Sequence, residues 1–221
     1  MKKENIKIVN YESTIAKELF EKKEYPWEVL PLIKEYILEL ISNLDDNYVE
    51  IKKNVFVDKD AKISPTACIE GPCIIGKNTE IRHAAYIREN VIIGDNCVIG
   101  NSSEIKNSII FNNSNCPHYN YVGDSIIGEN VNLAAGVILS NLKNDNSNVK
   151  VKYEDELIDT KLRKFGAIVG DNVKIGCNSV LCPGTIIYPN TSVYPLTKVR
   201  GTIKRNKIVK DMNNIVDKGG Y

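Results

Sequence analysis

The sequence has few residues of the types that bind metal ions. Only two histidines, His83 and His118, occur among 221 residues, so this chain cannot supply a zinc site with three histidine ligands. The cysteines form no Cys-x-x-Cys pair and show no His/Cys metal spacing; they are Cys68, Cys73, Cys97, Cys116, Cys177 and Cys182. No metal is expected, and in a reducing compartment these cysteines should remain thiols.

The sequence also lacks a long apolar run and an excess of charge of either sign. No stretch approaches the roughly 18 apolar residues of a membrane span, and the polar start, MKKENIKIVN, has no secretory signal. Lysine and arginine total 29 against 28 acidic residues, and the cations form no block. We therefore expect a cytoplasmic protein without a nucleic-acid or membrane partner.

An aliphatic residue does recur at every sixth position from Val57 onward. The series continues through Ile63, Ile69, Ile75, Ile81, Ile87, Ile93, Ile99, Ile105 and Phe111, and the register returns at Ile127, Leu133, Leu139, Val169, Ile175, Leu181, Ile187, Val193 and Val199. Four residues after each of the first eight members stands a mostly small residue: Ala61, Ala67, Cys73, Thr79, Ala85, Val91, Cys97 and Ser103.

One large and one small inward residue per hexad describe one side of a triangular solenoid, so three hexads complete a coil and successive coils stack as parallel strands. Asn and Gly between these positions permit the sharp turns. The predicted fold is mainly β, a parallel β-helix of hexapeptide repeats with a short N-terminal helical segment. Cys73 and Cys97 occupy small inward positions, which indicates a packing role.

The pattern divides the chain into three segments. Residues 1–50 form an N-terminal helical segment, with two short helices separated near Pro26 and an apolar stripe from Val29 to Leu44. This stripe must cover either the open end of the solenoid or a neighbouring subunit. Residues 51–205 form the solenoid, with a protruding loop at 143–165, and residues 206–221 form a charged tail.

The repeat is shorter around the stretch NCPHYNYVGDS, residues 115 to 125. Phe111 and Ile127 are 16 residues apart where the repeat would give 18, which predicts a locally deformed coil. A side chain outside the register can point away from the stacked wall, so His118 is a candidate functional residue. The alternative is a turn histidine bonded to its own backbone.

Two cations occupy equivalent positions in neighbouring coils. Arg88 follows Ile87, and Lys106 follows Ile105 eighteen residues later, so the two should stack about 4.8 Å apart at the backbone. Stacked like charges are unfavourable unless an anion lies between them, and a phosphate accepts hydrogen bonds from both groups. The alternative is a solvated basic ladder relieved by the nearby Glu104.

The run IRENVIIGDNCVIGNSSEIKNSIIFNNSNCPHYNYVGDSIIGENVNLAAGVILSN, residues 87–141, resembles the acetyltransferase half of the bifunctional N-acetylglucosamine-1-phosphate uridyltransferase/glucosamine-1-phosphate acetyltransferase family. The resemblance covers roughly residues 55–200. It implies a left-handed β-helix, acetyl-CoA as co-substrate, a homotrimer with shared sites, and a place in nucleotide-sugar and cell-wall biosynthesis. The first 50 residues contain no Gly-rich nucleotide-binding βα unit, so we expect no pyrophosphorylase activity.

The resemblance also implies roles for individual residues. His118 matches the general base and Glu104 a carboxylate near it, while Arg88 and Lys106 match the basic pair that holds the sugar phosphate. The remaining matches are Tyr121, Asn132 and Asn141, which position the glucosamine, Lys164, a further substrate-site lysine, and the backbone of Ala135, which contacts the acetyl group. Leu142, the longer 143–165 loop and the tail depart from the family.

The implied reaction is N-acetylation of an amino-sugar 1-phosphate. An amine that is protonated at neutral pH attacks a thioester only after losing a proton, which the imidazole of His118 can accept. Two other protein classes are alternatives. A γ-class carbonic anhydrase on the same solenoid needs three zinc-binding histidines, and the two histidines of this chain argue against it. A non-catalytic sugar-phosphate-binding or scaffold protein stays open because Leu142 and the tail differ.

Overall fold

The chain forms a three-sided parallel β-solenoid, and the predicted β-helix of hexapeptide repeats is confirmed. The structure is a computed structural model that describes residues 8–21, 23–153 and 156–219. Three sheets, named faces A, B and C in the order in which the chain visits them, form the walls. Strands of successive coils pair in parallel, as in Ile75↔Ile93 on face A and Ile81↔Ile99 on face B.

Face A has nine strands. In chain order they are Tyr48–Lys52, Val55–Asp58, Cys73–Ile75, Val91–Ile93, Ser108–Ile110, Ile126–Ile127, Ala167–Val169, Thr185–Ile187 and Thr202–Ile203. The first strand is antiparallel to the second, and the others are parallel.

Faces B and C complete the prism with nine and seven strands. Face B comprises Lys62–Ile63, Glu80–Ile81, Val98–Asn101, Asn115–His118, Asn132–Leu133, Lys174–Ile175, Ser192–Val193, Lys207–Asp211 and Asn214–Asp217. Face C comprises Cys68–Ile69, Tyr86–Ile87, Glu104–Lys106, Tyr121–Gly123, Ile138–Leu139, Val180–Leu181 and Lys198–Val199. The parallel pairing on face B continues to Val193↔Val209.

The interior of the prism is filled by the inward residues of the repeat. Cys73 and Cys97 are buried among them, 0% and 1% exposed, as their small inward positions predicted. Burial raises the pKa of the Cys97 thiol to about 12, which keeps it protonated and unreactive. Asparagines with positive φ, such as Asn78 and Asn96, form many of the corners.

The predicted deformation at residues 115–125 is only partly right, because one of two register changes lies there, at Asp124, and the other lies earlier, at Asn107. Ile110, not Phe111, is the inward residue, since Ile93 pairs with Ile110 and Ile110 with Ile127. One residue is missing at each of two corners between faces C and A, so both coils have 17 residues instead of 18. His118 therefore lies within a regular strand, paired with Asn101.

The outer surface of face A is apolar and is covered by the chain itself. In six successive coils the residue before the inward aliphatic residue is also isoleucine and is buried, in a ladder of Ile74, Ile92, Ile109, Ile126, Ile168 and Ile186. The N-terminal segment packs on this ladder through Val29, Leu30, Ile33 and Ile37. The stripe thus covers neither the open end of the solenoid nor a neighbouring subunit.

The covering segment is a chain of short helices. Helix α1 spans Lys17–Phe20 and helix α2 spans Ile33–Leu40, with 3₁₀ turns at Tyr11–Ser13, Pro26–Leu32 and Ile41–Asn43. Pro26 begins the longest 3₁₀ turn, where its missing N–H leaves no bond unmade. No helix in the described residues is long and apolar enough to cross a membrane.

Residues 143–165 do not protrude as predicted. They contain two antiparallel strands, Lys150–Tyr153 and Glu156–Asp159. Val149, Val151 and Tyr153 are buried against the cover of face A. The alternation of Val149, Val151 and Tyr153 gives this hairpin one apolar side, which packs beside the N-terminal segment, so the insertion leaves face C open.

Candidate active site

Face C brings the two predicted phosphate-binding cations together. Ile87 pairs with Ile105, and the Arg88 N–H donates to the Ile105 carbonyl at 2.8 Å, so Arg88 and Lys106 are neighbours on adjacent coils. The next residue in this column is Gly123, paired with Lys106. The column therefore runs from two cations to a position with no side chain.

Arg88 is held by carboxylates on its own face. Its Nη1 donates to Glu104 Oε1 at 3.1 Å, and its Nε lies 3.6 Å from Glu89 Oε2. The guanidinium also lies over the Tyr86 ring, 6.0 Å from the centroid. Glu104 was predicted near the base, but in the structure its hydrogen bond is to Arg88. Of the three guanidinium nitrogens of Arg88, only Nη1 has a hydrogen bond to a described residue, so donors remain for a ligand.

Lys106 lies in a more buried environment beside Asp124. Its side chain is 13% exposed, and its ammonium is 3.9 Å from Asp124 Oδ2, an ion-pair distance without a hydrogen bond. In the described part of the chain this ammonium makes no hydrogen bond, so its three N–H groups can bind a ligand. The ion pairs of this region join two cations, Arg88 and Lys106, to three carboxylates, Glu89, Glu104 and Asp124.

Tyr121 and Asn141 meet beside Gly123. Asn141 Nδ2 lies 3.2 Å from Tyr121 Oη and 2.5 Å from Asp124 Oδ2. A Cβ on Gly123 would lie 2.6 Å from the tyrosine hydroxyl and 2.7 Å from the Asn141 amide nitrogen, so only glycine allows this approach. Burial, and next the charge of Asp124, raise the pKa of Tyr121, which keeps the phenol a hydrogen-bond donor.

His118 lies at the corner between faces B and C, three residues before Tyr121. Its residue is exposed, and its imidazole has no hydrogen bond or ion pair within the described ranges. Its backbone N–H donates to Asn120 Oδ1 at 3.1 Å, and Tyr119, with φ 51°, turns the chain onto face C. An unpaired exposed imidazole can accept a proton from a ligand at this corner.

The other predicted residues lie away from the cation pair. Asn132 is on face B, paired with Asn115, and Ala135 is at the B–C corner in the coil after His118. The Gly136 N–H donates to the His118 carbonyl at 3.0 Å, while the Ala135 N–H makes no hydrogen bond in the described chain. Lys164 pairs with Leu142 where the insertion leaves and rejoins the solenoid. Within one chain the set is thus divided between two faces.

The sequence interpretation missed Asp124 and Gly123. The signal for Asp124 was a 17-residue spacing, since Asn90, Asn107, Asp124 and Asn141 all fall at the C–A corner of successive coils. The described residues contain no group of three or more His, Cys, Asp and Glu side chains able to hold a metal ion.

Comparisons with known proteins agree with this architecture. Residues 69–209 match the family model described as the GMPPB C-terminal domain. The chain is 36% identical over 194 residues to the bifunctional protein GlmU of Methanococcus aeolicus, covering 80% of this chain and 47% of that protein. It is 36% identical over 164 residues to a bifunctional sugar-1-phosphate nucleotidylyltransferase/acetyltransferase of Sulfurisphaera tokodaii, covering 72% of this chain and 41% of that protein.

Among solved structures, the chain is similar to a hexapeptide transferase family protein from Anaplasma phagocytophilum, with a TM-score of 0.47 and 18% identity, covering 70% of this chain and 73% of that one. The chain spans less than half the length of the two curated relatives named above.

The fold and the relatives together define a solenoid of the hexapeptide-repeat acyltransferase class, and the resemblance found in the sequence is confirmed. The chain belongs to the family described as the GMPPB C-terminal domain, whose model matches more than half of its residues.

Proposed function

We propose that this protein transfers an acetyl group from acetyl-CoA to the amine of an amino-sugar 1-phosphate. The observation that carries the proposal is the pairing of Arg88 and Lys106 on adjacent coils of face C, beside Tyr121 and Asn141, with His118 at the opposite corner of the same face. Both cations keep free N–H donors, as a phosphate site requires. The name of the Sulfurisphaera tokodaii relative includes both acetyl transfer and a sugar 1-phosphate, which supports the proposal.

The acceptor lies on face C in this proposal. Its phosphate accepts hydrogen bonds from Arg88 and Lys106, while Tyr121 and Asn141 contact the sugar. The acceptor's amine then faces the B–C corner, where the His118 imidazole takes its proton. Holding the amine beside the thioester carbon is the second contribution, since orientation replaces a chance encounter. The Ala135 N–H, which has no partner, can donate to the oxyanion that forms on the thioester carbonyl.

The acyl donor extends along the B–C corner away from His118. In the three coils that follow His118, the equivalent corner positions are Ala135, Cys177 and Pro195, and Cys177 is exposed. Leu196, the residue after Pro195, is 79% exposed. A cavity there is lined by Leu196 and Met212 together with the cations Lys198, Arg200 and Lys210. An apolar edge that leads to cations fits the pantetheine arm and phosphates of coenzyme A.

A binding or scaffold protein that retains the sugar-phosphate pocket is the second candidate. Leu142, which departs from the family, lies in the bridge to Lys164 at the edge of face C. Glu104 and Glu89 already neutralise part of the charge on Arg88. A site built only to hold a phosphate would need neither the free imidazole of His118 nor the free N–H of Ala135.

One experiment separates the two candidates. Coenzyme A release is measured with acetyl-CoA and a panel of gluco- and galacto-configured amino sugars, each with and without a 1-phosphate, and binding of the same sugars is measured by calorimetry. Release that depends on a phosphorylated amino sugar supports the enzyme. Binding without release supports the sensor, and neither binding nor release contradicts both.

A further inference from the structure

Asp124 occupies the centre of a column of amides at the C–A corner. Asn107 and Asn141 flank it on the two adjacent coils, and each donates an N–H to a different carboxylate oxygen: Asn107 Nδ2 to Oδ1 at 2.9 Å and Asn141 Nδ2 to Oδ2 at 2.5 Å. The Lys106 ammonium faces the second oxygen at 3.9 Å. The Asp124 residue is 5% exposed, so it is largely closed to solvent and to substrate.

The backbone of Asp124 is fixed as firmly as its side chain. Its N–H donates to the Lys106 carbonyl at 2.9 Å, and its carbonyl accepts from the Gly166 N–H at 2.9 Å, where the insertion rejoins the solenoid. A Cβ on Gly166 would lie 2.4 Å from the Gly123 carbonyl, so the approach requires glycine there. The left-handed conformation of Asp124, φ 48°, is one that Asp and Asn adopt more readily than most residues.

We infer that Asp124 is a positioning residue for the acceptor site. Its carboxylate aims the Lys106 ammonium and the Asn141 amide toward the same side of face C, and through Asn141 it also sets the Tyr121 hydroxyl. The inference rests on the proposed function for its consequence in catalysis. The contacts of Asp124 with Asn141 and Lys106 can be tested whether or not the protein is catalytically active.

The missing residue at this corner explains why the carboxylate reaches Lys106. In the coil of Arg88 the corner keeps Glu89 between the cation and Asn90, whereas Lys106 is followed directly by Asn107 and Gly123 directly by Asp124. The shortened corner therefore brings the amide and carboxylate column one position closer to the cation column. Asn90 Oδ1, in the coil with the full-length corner, is buried without a hydrogen-bond partner in the described residues.

The test compares Asp124→Asn with Asn107→Gly. Asp124→Asn keeps the size and backbone conformation but replaces an acceptor oxygen by an N–H₂ group, so it cannot accept from both amides and no longer attracts Lys106. Asn107→Gly removes the other amide that donates to the Asp124 carboxylate, and glycine tolerates the φ of 44° at this position. This control therefore reports local destabilisation while the hydrogen bond between Asp124 and Asn141 is kept.

Two readouts are required. The first is hydrogen exchange of the Asn141 side-chain amide by NMR, which should be slow in the wild type and in Asn107→Gly and fast in Asp124→Asn. The second is steady-state kinetics, in which Asp124→Asn should raise KM for the phosphorylated amino sugar about 10- to 100-fold with a smaller change in kcat, by analogy with losing a hydrogen bond to a charged group.

The outcomes distinguish the inference from the proposed function. Fast exchange of the Asn141 amide in the wild type, or equal KM values in Asp124→Asn and Asn107→Gly, overturns the positioning role even if the wild type is active. A wild type without acetyl transfer contradicts the proposed function, and the exchange data then still decide whether Asp124 holds Asn141.

Discussion

Lys106 and Gly123 are register partners on adjacent coils of face C, so a cation is followed by a position that has no side chain. The space at Gly123 is occupied by the Tyr121 hydroxyl and the Asn141 amide, which lie within 3.2 Å of each other. The wall of the prism thus changes within one coil from a cation to a paired hydroxyl and amide, an arrangement that the proposed phosphate and sugar contacts require.

Gly123→Ala should impair binding of the acceptor. The added Cβ would lie 2.6 Å from Tyr121 Oη and 2.7 Å from Asn141 Nδ2, so both groups must move. We expect KM for the phosphorylated acceptor to rise about 10-fold or more, since small displacements of positioning groups are costly. Ser140→Ala, at the same column position in the next coil, is the control and should leave KM unchanged. Equal KM values for Gly123→Ala and the wild type would show that Tyr121 and Asn141 do not contact the acceptor.

His118→Ala should lower acetyl transfer by roughly 10²- to 10⁴-fold, the usual contribution of a general base. The fold should be unchanged, because the imidazole is exposed and bonds to no described residue. His83→Ala is the matched control, since His83 occupies the same corner two coils earlier and should leave the rate unaffected. The two rates and the far-UV circular dichroism of both variants check this. A His118→Ala rate equal to that of the wild type would remove the imidazole from the mechanism.

Arg88→Ala and Lys106→Ala should discriminate against phosphorylated acceptors. Each loses charge-assisted hydrogen bonds worth about 1.5–3 kcal/mol, so KM for the 1-phosphate should rise about 10- to 100-fold while the unphosphorylated sugar changes little. Arg82→Ala, which breaks an ion pair with Glu80 on face B, is the control. If both acceptors lose affinity equally, the cation pair has a structural role.

The protein should form a homotrimer of the 24.8-kDa chain in which each site needs two subunits. Face A is covered by the chain's own N-terminal segment, so faces B and C remain for contact with neighbours. The apolar stripe no longer supports this expectation, because it is buried within the chain. The division of the predicted residues between face C and the B–C corner does support it. Light scattering and activity measured over the same concentration range test it, and an active monomer would contradict the shared site.

Asp171→Asn should stabilise the fold near pH 7. Burial raises the pKa of Asp171, so the folded state binds this proton more tightly than the unfolded state does. The stability that this group contributes is therefore present at low pH and is lost as pH rises through the raised pKa. Asparagine keeps the Oδ1 acceptor for the Glu129 N–H, 2.8 Å away, without the charge.

Thermal melting should show a higher midpoint for Asp171→Asn at pH 7 and a smaller difference in acid. Asp95→Asn, at the same corner three coils earlier, is the control, and a lower midpoint for Asp171→Asn at pH 7 would contradict the burial argument.

The hexad pattern was sufficient to predict the solenoid and its interior, because one inward aliphatic residue per side is a local rule. It placed Phe111 inside incorrectly because Ile110 and Phe111 are both apolar, so either register fits the sequence near a deleted residue. The burial of the outer surface of face A could also have been predicted from the sequence. Consecutive isoleucines at 74–75, 92–93 and 186–187 mark strands that are buried on both sides.

The candidate site was only partly predictable. Arg88, Lys106 and Tyr121 follow from spacing and resemblance, since their positions depend on the repeat alone. Asp124 does not, because its contact with Lys106 and Asn141 depends on two corners that are each one residue short. Glu104 was expected near His118, but its carboxylate accepts a hydrogen bond from Arg88. Sequence spacing alone cannot decide between these two partners.

Identification of the product tests the proposed reaction most directly. Wild-type protein is incubated with acetyl-CoA and glucosamine 1-phosphate, and mass spectrometry and NMR follow the sugar while free coenzyme A is quantified. The proposal predicts an N-acetylated sugar phosphate formed one-to-one with coenzyme A, at a rate strongly reduced in His118→Ala and unchanged in His83→Ala. Release of coenzyme A without N-acetylation of the sugar, or product formation that survives in His118→Ala, would contradict the proposal.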